Sequence, residues 1–378
     1  TGQVGRKAAD ASDADILLQA VNGKNPIFYS RLEQLAQGMP LKMGLNDVVS
    51  FLSGRGAKAD EIKWTNVQEF LDDAAAQGKK SITKEELLGH LNNNRIIIED
   101  TQIGPLYPNQ KFGQFDDARY DAIQAGEVTK PVFPLRTLDG GREYREVKLR
   151  LPQPKGSEFI VPHWDEADIL VFFRSTTRRD RQGRRILFIE EIQSDWHQVG
   201  RKYGYGAIPI PGAGRLTFQV PDAPFKDTKA WTGLAVKRIM RMAADEGFDG
   251  VAFTRGDAVT SIPGINLPKK SAQEYYDKIV PSVVKKHTKA PLGKTRLAGP
   301  GDLGYVDFNF VELTPELKKR VGGPQMLFQR GAPKQTDWEM GELGEGLVEL
   351  TSAEIRAAEG AGLVFKMDGN TLRVQSSE

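Results

Sequence analysis

The sequence predicts an α/β (α+β) protein, a mixed β-sheet core with packed helices behind a small helical N-terminal module. Three observations carry this. Val147, Leu149 and Leu151 alternate with polar residues over 144–151, the period of a half-buried strand, and apolar runs follow at 169–174 and 185–192. The segment between those runs, 175–183, is polar and basic, as a hairpin tip should be. Trp231, Leu234, Ala235, Ile239, Met242 and Ala243 then recur at helical spacing, ahead of a short apolar strand at 249–253. Hairpins joined to one helical crossover make the sheet mixed.

Composition sets the outer limits. A chain of 378 residues exceeds one typical domain, and 39% hydrophobic with 27% charged residues is enough for a core and too apolar for disorder. The net charge of +2 gives no global field for nucleic acid or membrane, so such binding needs local patches. With no cysteine there is no disulfide and no thiol nucleophile, as in a reducing compartment. Only His90, His163, His197 and His287 are present, without an HExxH pair, and no dedicated metal site is expected. No apolar run approaches the ~20 residues of a membrane-spanning helix, and no charged-then-apolar leader opens the chain, so a soluble chain without membrane contact is expected. A start at Thr1 is expected of a segment of something longer.

Four regions follow along the chain. Residues 1–24 read as a linker or arm, and 25–105 as a small, mainly helical module ending in a strand. Within that module Phe28, Leu32 and Leu35 mark a helix closed by Gly38-Met39-Pro40, and Asn46 caps a second through Phe51. Val67, Phe70 and Leu71 mark a third. Thr83 with Glu86 forms a capping box before Leu87 and Leu91, and 95–99 is the strand, a pattern shared by winged-helix and plain packing modules. Residues 106–330 read as the mixed α/β core with the candidate site. There 271–289 is a helix that Pro281 should kink or interrupt, and Val306, Phe308 and Phe310 mark a closing strand. Residues 331–378 are an acidic C-terminal appendage with a helix at 352–358 and a hairpin turning at Asp368-Gly369-Asn370.

The segment Ile189-Glu190-Glu191-Ile192-Gln193-Ser194-Asp195-Trp196-His197-Gln198 resembles a domain of the large polyvalent proteins of phages and mobile elements. So do Gly200-Arg201-Lys202, Gly250-Val251-Ala252-Phe253-Thr254, Tyr276-Asp277-Lys278-Ile279-Val280-Pro281 and Met326-Leu327-Phe328-Gln329, in the same order. Ile27-Phe28-Tyr29-Ser30, Trp64-Thr65 and Thr83-Lys84-Glu85-Glu86-Leu87 match that domain's beginning, so the resemblance covers about residues 25–330. It implies a module of a multi-module chain that enters the host with the DNA and acts early in infection. The implied locations are virion and host cytoplasm. The implied partners are other modules of the same polypeptide, host protein or nucleic acid. After Thr254 the chain departs from the family, carrying Asp257-Ala258-Val259-Thr260-Ser261-Ile262-Pro263-Gly264 in place of a polar stretch with arginine and tyrosine.

The chemistry-bearing residues concentrate at 189–206, directly after a strand that must be buried, where α/β proteins place their sites. Arg201-Lys202-Tyr203-Gly204-Tyr205-Gly206 is similar to the R/Q-x-x-G-x-G/A loop of GNAT-type acetyltransferases, which makes acyl-CoA the candidate cofactor. In such a loop the glycines let backbone N–H groups approach a pyrophosphate. Arg201, Lys202, Gly204 and Gly206 are then the cofactor-binding candidates, although Pro209 and Pro211 forbid an immediate helix after Gly206. The helix at 231–242, strand at 250–254 and Tyr275-Tyr276 would supply the later elements. Glu190 or Glu191 would be the base, and Tyr275 or Tyr276 the acid for the thiolate.

Without a cofactor, Glu191, Gln193, Asp195 and His197 alternate and would line one face if the strand persists, with only one of Glu190 and Glu191 on it. The competing expectation is that Ser194 or Asp195 caps a helix, Trp196 packs and His197 is solvated. A binding role would use Arg178 and Arg179 on the hairpin for phosphates, with Trp196 stacking bases and His163 reaching the same cleft.

Overall fold

The computed structural model describes residues 27–104, 137–138, 140–154, 157–160, 164, 166–206, 220–262, 267–298 and 304–328. It also gives the backbone of two strands at 363–368 and 371–376. The chain divides into two compact units, 1–330 and 331–378.

The first unit opens with strand β1 (Phe28–Tyr29), helix α1 (Leu32–Gln37), β2 (Lys42–Gly44) and helices α2 (Leu45–Gly54), α3 (Ala59–Trp64) and α4 (Val67–Ala76). Strand β3 (Ser81–Thr83) pairs antiparallel with β2 and leads into α5 (Lys84–Asn93). Their apolar faces make a separate small core of Leu32, Val48, Leu52, Leu71, Ile82 and Leu87. The capping box forms: Glu86 N–H donates to Thr83 Oγ1 at 3.1 Å and Thr83 N–H to Glu86 Oε2 at 2.7 Å. Phe28 belongs to a strand, not to the first helix, because residues far along the chain supply its partner. That partner is β11 (Gln325–Met326), in parallel register.

The main sheet has seven strands in the order β4-β5-β6-β7-β8-β10-β9. They are β4 (Glu99–Ile103), β5 (Arg142–Arg150), β6 (Ile169–Arg179), β7 (Arg185–Gln193), β8 (Gly250–Phe253), β9 (Gly293–Ala298) and β10 (Tyr305–Glu312). All neighbours are antiparallel except β7 and β8. The expected strand at 95–99 begins instead at Glu99, as an edge of this sheet. Arg95 is drawn aside into a two-pronged contact with Glu33, at 2.5 and 2.8 Å. In β9 the exposed Lys294 and Arg296 alternate with buried Thr295 and Leu297.

After β7 comes helix α6 (Asp195–Tyr203), then α7 (Thr228–Asp245), buried continuously from Trp231 to Ala243. Helix α8 (Gly256–Val259) follows β8, and then α9 (Lys269–Ala272), a π-helical stretch Gln273–Ile279 and α10 (Val280–Thr288) run on as one rod. Pro281 does not interrupt that rod. The widened π turn precedes it, and proline falls in the first turn of α10, where its missing N–H is tolerated. Helix α11 (Pro315–Val321), capped by Thr314, leads to β11. In the second unit β12 (Leu363–Asp368) and β13 (Thr371–Ser376) form the expected hairpin, while the helix expected at 352–358 lies outside the described residues. No helix among the described residues is long and apolar enough to cross a membrane.

The helical module is fastened at its entry. Glu61, 1% exposed, accepts from Ser30 Oγ at 2.7 Å and from Arg31 N–H at 2.9 Å. Lys237 of α7 donates to the carbonyls of Met326 at 2.5 Å and Leu327 at 3.0 Å, fixing the return strand that β1 pairs with. Burial and the nearby Lys286 push the Lys237 ammonium from an ordinary 10.5 down to about 7. Between those two values the unfolded chain holds a proton that the folded chain does not, so folding gains as pH rises through the window. Relative to Lys237→Met, the urea midpoint of the wild-type chain should therefore climb from pH 7 to pH 9. Parallel midpoints across that range would contradict the assignment.

Candidate active site

Strands β7 and β8 pair only from Ile186–Gly250 to Ile189–Phe253. Thr254 N–H donates to the Ile189 carbonyl at 3.0 Å, and there the two strands part. β7 runs on to Gln193, held by β6 alone. At the parting point the β6–β7 register slips: Arg174 lies opposite Glu191 and Ser175 opposite Ile189, leaving Glu190 as an extra residue, a β-bulge. The bulge resets the alternation. Ile192 N–H points away from β6 and meets the Tyr276 hydroxyl at 3.4 Å.

The bulge also breaks the regular alternation on which the expected single-glutamate face rested, although Glu191 alone of the pair lines the adjoining cavity. Arg174, Thr176 and Arg178 share one face of β6, and both glutamates reach it. Glu190 is fully buried and spent on Thr176 Oγ1 (2.6 Å), Arg178 (2.9 Å) and Leu138 N–H (3.1 Å), which removes it as a base. Glu191 is bound through Oε2 to Arg174, at 2.7 Å to Nε and 2.6 Å to Nη2. Its Oε1 has no partner among the described residues, and Glu191 lines a cavity of about 780 Å³.

That cavity fills the wedge where β7 and β8 separate. Ile192, Gln193, Gln198 and Arg201 form one wall, Thr228 and Trp231 of α7 another, and Ser271 to Ile279 of the π-containing rod the third. Two phenols face it, and they differ. Thr232 donates its hydroxyl proton to the Thr228 carbonyl at 2.6 Å, so the Tyr275 hydroxyl, 3.1 Å away, is the donor to Thr232 Oγ1. The Tyr276 oxygen accepts from Ile192 N–H, and its own proton has no acceptor among the described residues. Burial and then the Glu191 carboxylate push the Tyr276 phenol upward, so it stays a proton donor in the resting protein. A π-helical turn carrying such a residue is a common feature of functional sites.

Gln193, Glu191, Tyr276 and Arg201 are therefore brought together; Asp195 and His197 are not. The strand stops at Gln193, and Ser194 caps α6 by accepting from His197 N–H at 3.2 Å. Residues that would have alternated along a strand are thrown around a helix. Asp195 is held by the Gln193 amide in the first helical turn. His197 is neither solvated nor in the cavity: it is fully buried, with Nδ1 2.8 Å from the Tyr205 hydroxyl. Gly200 makes room for that contact, since a Cβ there would lie 2.3 Å from the Tyr205 ring. Trp196 is unavailable for stacking bases. It is fully buried, stacked on Phe159 at 5.2 Å, with Nε1–H donating to the Pro221 carbonyl.

The glycine pattern is displaced as well. Arg201 and Lys202 occupy the last turn of α6, and Gly204 follows that helix rather than opening one. A helix carboxyl end offers carbonyls and negative potential, the reverse of what a pyrophosphate needs. Gly204 (φ 93°) and Gly206 (φ 110°) take backbone conformations that other residues avoid, and Gly206 N–H closes a bridge to the Val220 carbonyl. Lys202 lies exposed over the Tyr203 ring. Arg201 alone reaches a helix amino end, donating to Thr228 Oγ1 at 2.7 Å at the start of α7.

On the hairpin, Arg178 is buried in its pair with Glu190 and cannot contact phosphates, while Arg179 is exposed and donates to the Gly183 carbonyl at the tip. His163 lies outside the described residues. No cluster of metal-ligating side chains occurs among the described residues. Sequence reasoning missed Ile192, whose backbone matters more than its side chain, and the clamp on Glu191 by Arg174, a residue that it grouped with the basic hairpin cluster. No protein-family model matches the chain, and a search of curated proteins finds no match.

Burial, then the charges of Arg201 and Lys226, push the His197 imidazole from 6.5 down to about 3; the Pro224 carbonyl works the other way, more weakly. Below pH 6.5 the unfolded chain takes a proton that the folded chain refuses, so stability falls as pH drops towards 3. The contribution should approach 1.4 kcal/mol per pH unit, roughly. The urea midpoint of the wild-type chain should thus fall further between pH 6.5 and 4.5 than that of His197→Gln. An equal fall in both would place His197 in contact with water.

Proposed function

We propose that this cavity binds an acyl-CoA and transfers the acyl group to an amine. The observation that carries it is the parted strand pair, which leaves the backbone edge of β7 at Ile192 bordering the cavity next to an unspent phenol and an unspent carboxylate oxygen. The arm of CoA is extended and carries amides, so it can lie along that edge as an added strand would. Its phosphates would meet the amino end of α7, where Arg201 and Thr228 stand. Strand, helix, strand and a Tyr275-Tyr276 helix follow one another as β7, α7, β8 and the π-containing rod, the order that the acetyltransferase resemblance implies. The glycines at 204 and 206 have no part in this arrangement.

In the reaction the amine nitrogen attacks the thioester carbonyl. Glu191 Oε1 takes the proton of the attacking amine, directly or through water, while the Arg174 clamp holds the carboxylate in place. The carbon–sulfur bond breaks, and the Tyr276 hydroxyl supplies the proton to the departing thiolate. Gln193 and Gln198 border the acceptor. The setting, a module of a phage or mobile-element polyvalent protein acting in the host cytoplasm beside other modules of its polypeptide, is inferred from the sequence motifs alone.

Acetyl-CoA should raise the melting temperature, and thiol release with a panel of primary amines should follow. Tyr276→Phe and Glu191→Gln should each lower kcat by about 10²–10⁴, with KM for acetyl-CoA little changed. Arg201→Glu should weaken acetyl-CoA binding and leave kcat largely intact. Neither stabilisation nor thiol release in the wild-type chain would contradict the assignment.

A further inference from the structure

A second hollow, of about 460 Å³, opens between the helical module and the core, and the proposed transfer reaction makes no use of it. Lys58 enters it from the module; Lys229 of α7 and Lys286 of α10 enter it from the core. None of these three ammonium groups has a partner among the described residues. Lys237 also lines the hollow, but it is buried and committed to the carbonyls of Met326 and Leu327. Against them stand Asp60 and Asp227, and Asp227 is spent on capping α7, where it accepts from Lys229 N–H at 2.8 Å. Three ammonium groups against two carboxylates leave a positive excess in a concave space, and an anion placed among them relieves their repulsion.

The rest of the wall is aliphatic and aromatic: Ala59, Ala230 and Leu327 with Phe225, Phe328 and His287. Phe225 stacks on Phe328 with centroids 4.8 Å apart and planes at 19°. Phe225 has φ 65°, a conformation that a bulky side chain rarely adopts and that is held here beside the hollow. We infer that this hollow is a binding site for a phosphate-bearing small molecule with a flat organic body, of nucleotide size, whose phosphates meet Lys58, Lys229 and Lys286 while the body lies against Phe328. A hollow of this volume suits a mononucleotide. Because its walls belong to both the helical module and the core, the ligand ties the two together. The inference is independent of acyl transfer.

The test is titration calorimetry and thermal unfolding of the full chain with ADP, adenosine and pyrophosphate at physiological ionic strength. ADP should bind, raise the melting temperature and bind more tightly than pyrophosphate, and adenosine should do neither. Lys58→Glu and Lys286→Glu should each weaken ADP by about tenfold or more, the effect of losing one charge-assisted contact. Arg201→Glu should leave ADP binding unchanged. Lys286 is exposed and Lys58 partly so, and their ligand-free melting curves should match the parent's; should either fail to fold, the other decides. Absence of ADP binding, binding that survives both reversals, or binding lost in Arg201→Glu instead would overturn the site. Equal affinity for ADP and pyrophosphate would overturn the role of Phe328. A short DNA oligonucleotide that displaces ADP at lower concentration would overturn the small-molecule assignment in favour of nucleic acid.

Discussion

Two parallel strands, β7 and β8, stop pairing halfway along, and the site is built around that parting. A backbone N–H or carbonyl released from a sheet in the protein interior must find another partner or face a cavity. Here the release falls after Ile189 and Phe253, in the middle of a seven-stranded sheet. Thr254 N–H ties off the last carbonyl, and the Tyr276 hydroxyl, brought in by the π-helical rod, receives the N–H of Ile192. The wedge between the strands stays open because α7 and that rod hold its walls apart.

The bulge at Glu190 is the second half of the same device. Without it Glu190 and Glu191 would point to opposite faces of the sheet; with it both are delivered to the arginines of β6. Each then has a separate task. Glu190 with Arg178 and Thr176 satisfies a fully buried group and fastens Leu138 to the sheet. Glu191 is held at one oxygen by Arg174 and left with the other towards the cavity. Removing one partner of such a buried pair leaves an uncompensated charge, so these pairs hold the geometry of the wedge more firmly than their net stabilisation suggests.

The elements that the sequence makes legible are those with strong local periodicity. The three hairpin strands, the long α7 pattern from Trp231 to Ala243 and the Thr83–Glu86 capping box all appear as expected. So does the concentration of polar chemistry after β7: Glu191, Gln193, Arg201 and Tyr276 do line one cavity. What fails depends on a single local decision. Ser194 chooses helix over strand, and with that choice His197 and Trp196 leave the cavity for the interior and the glycines arrive at the wrong end of a helix. The bulge has no composition signal of its own, and the pairing of Phe28 with residues near the end of the first unit is non-local by nature. The second hollow is illegible for the same reason, since Lys58, Lys229 and Lys286 lie far apart in the chain.

In the proposed reaction the edge of β7 released from β8 receives a ligand backbone, which takes the place of the Tyr276 hydroxyl at the Ile192 N–H. Amide hydrogen exchange resolved by residue, with and without acetyl-CoA, tests it most directly. Ile192 should exchange faster than Ile186 to Ile189 in the free protein and become protected on adding acetyl-CoA, while the paired residues change little. Binding of acetyl-CoA with no added protection at Ile192 would contradict the account, as would full protection of Ile192 before any ligand is present.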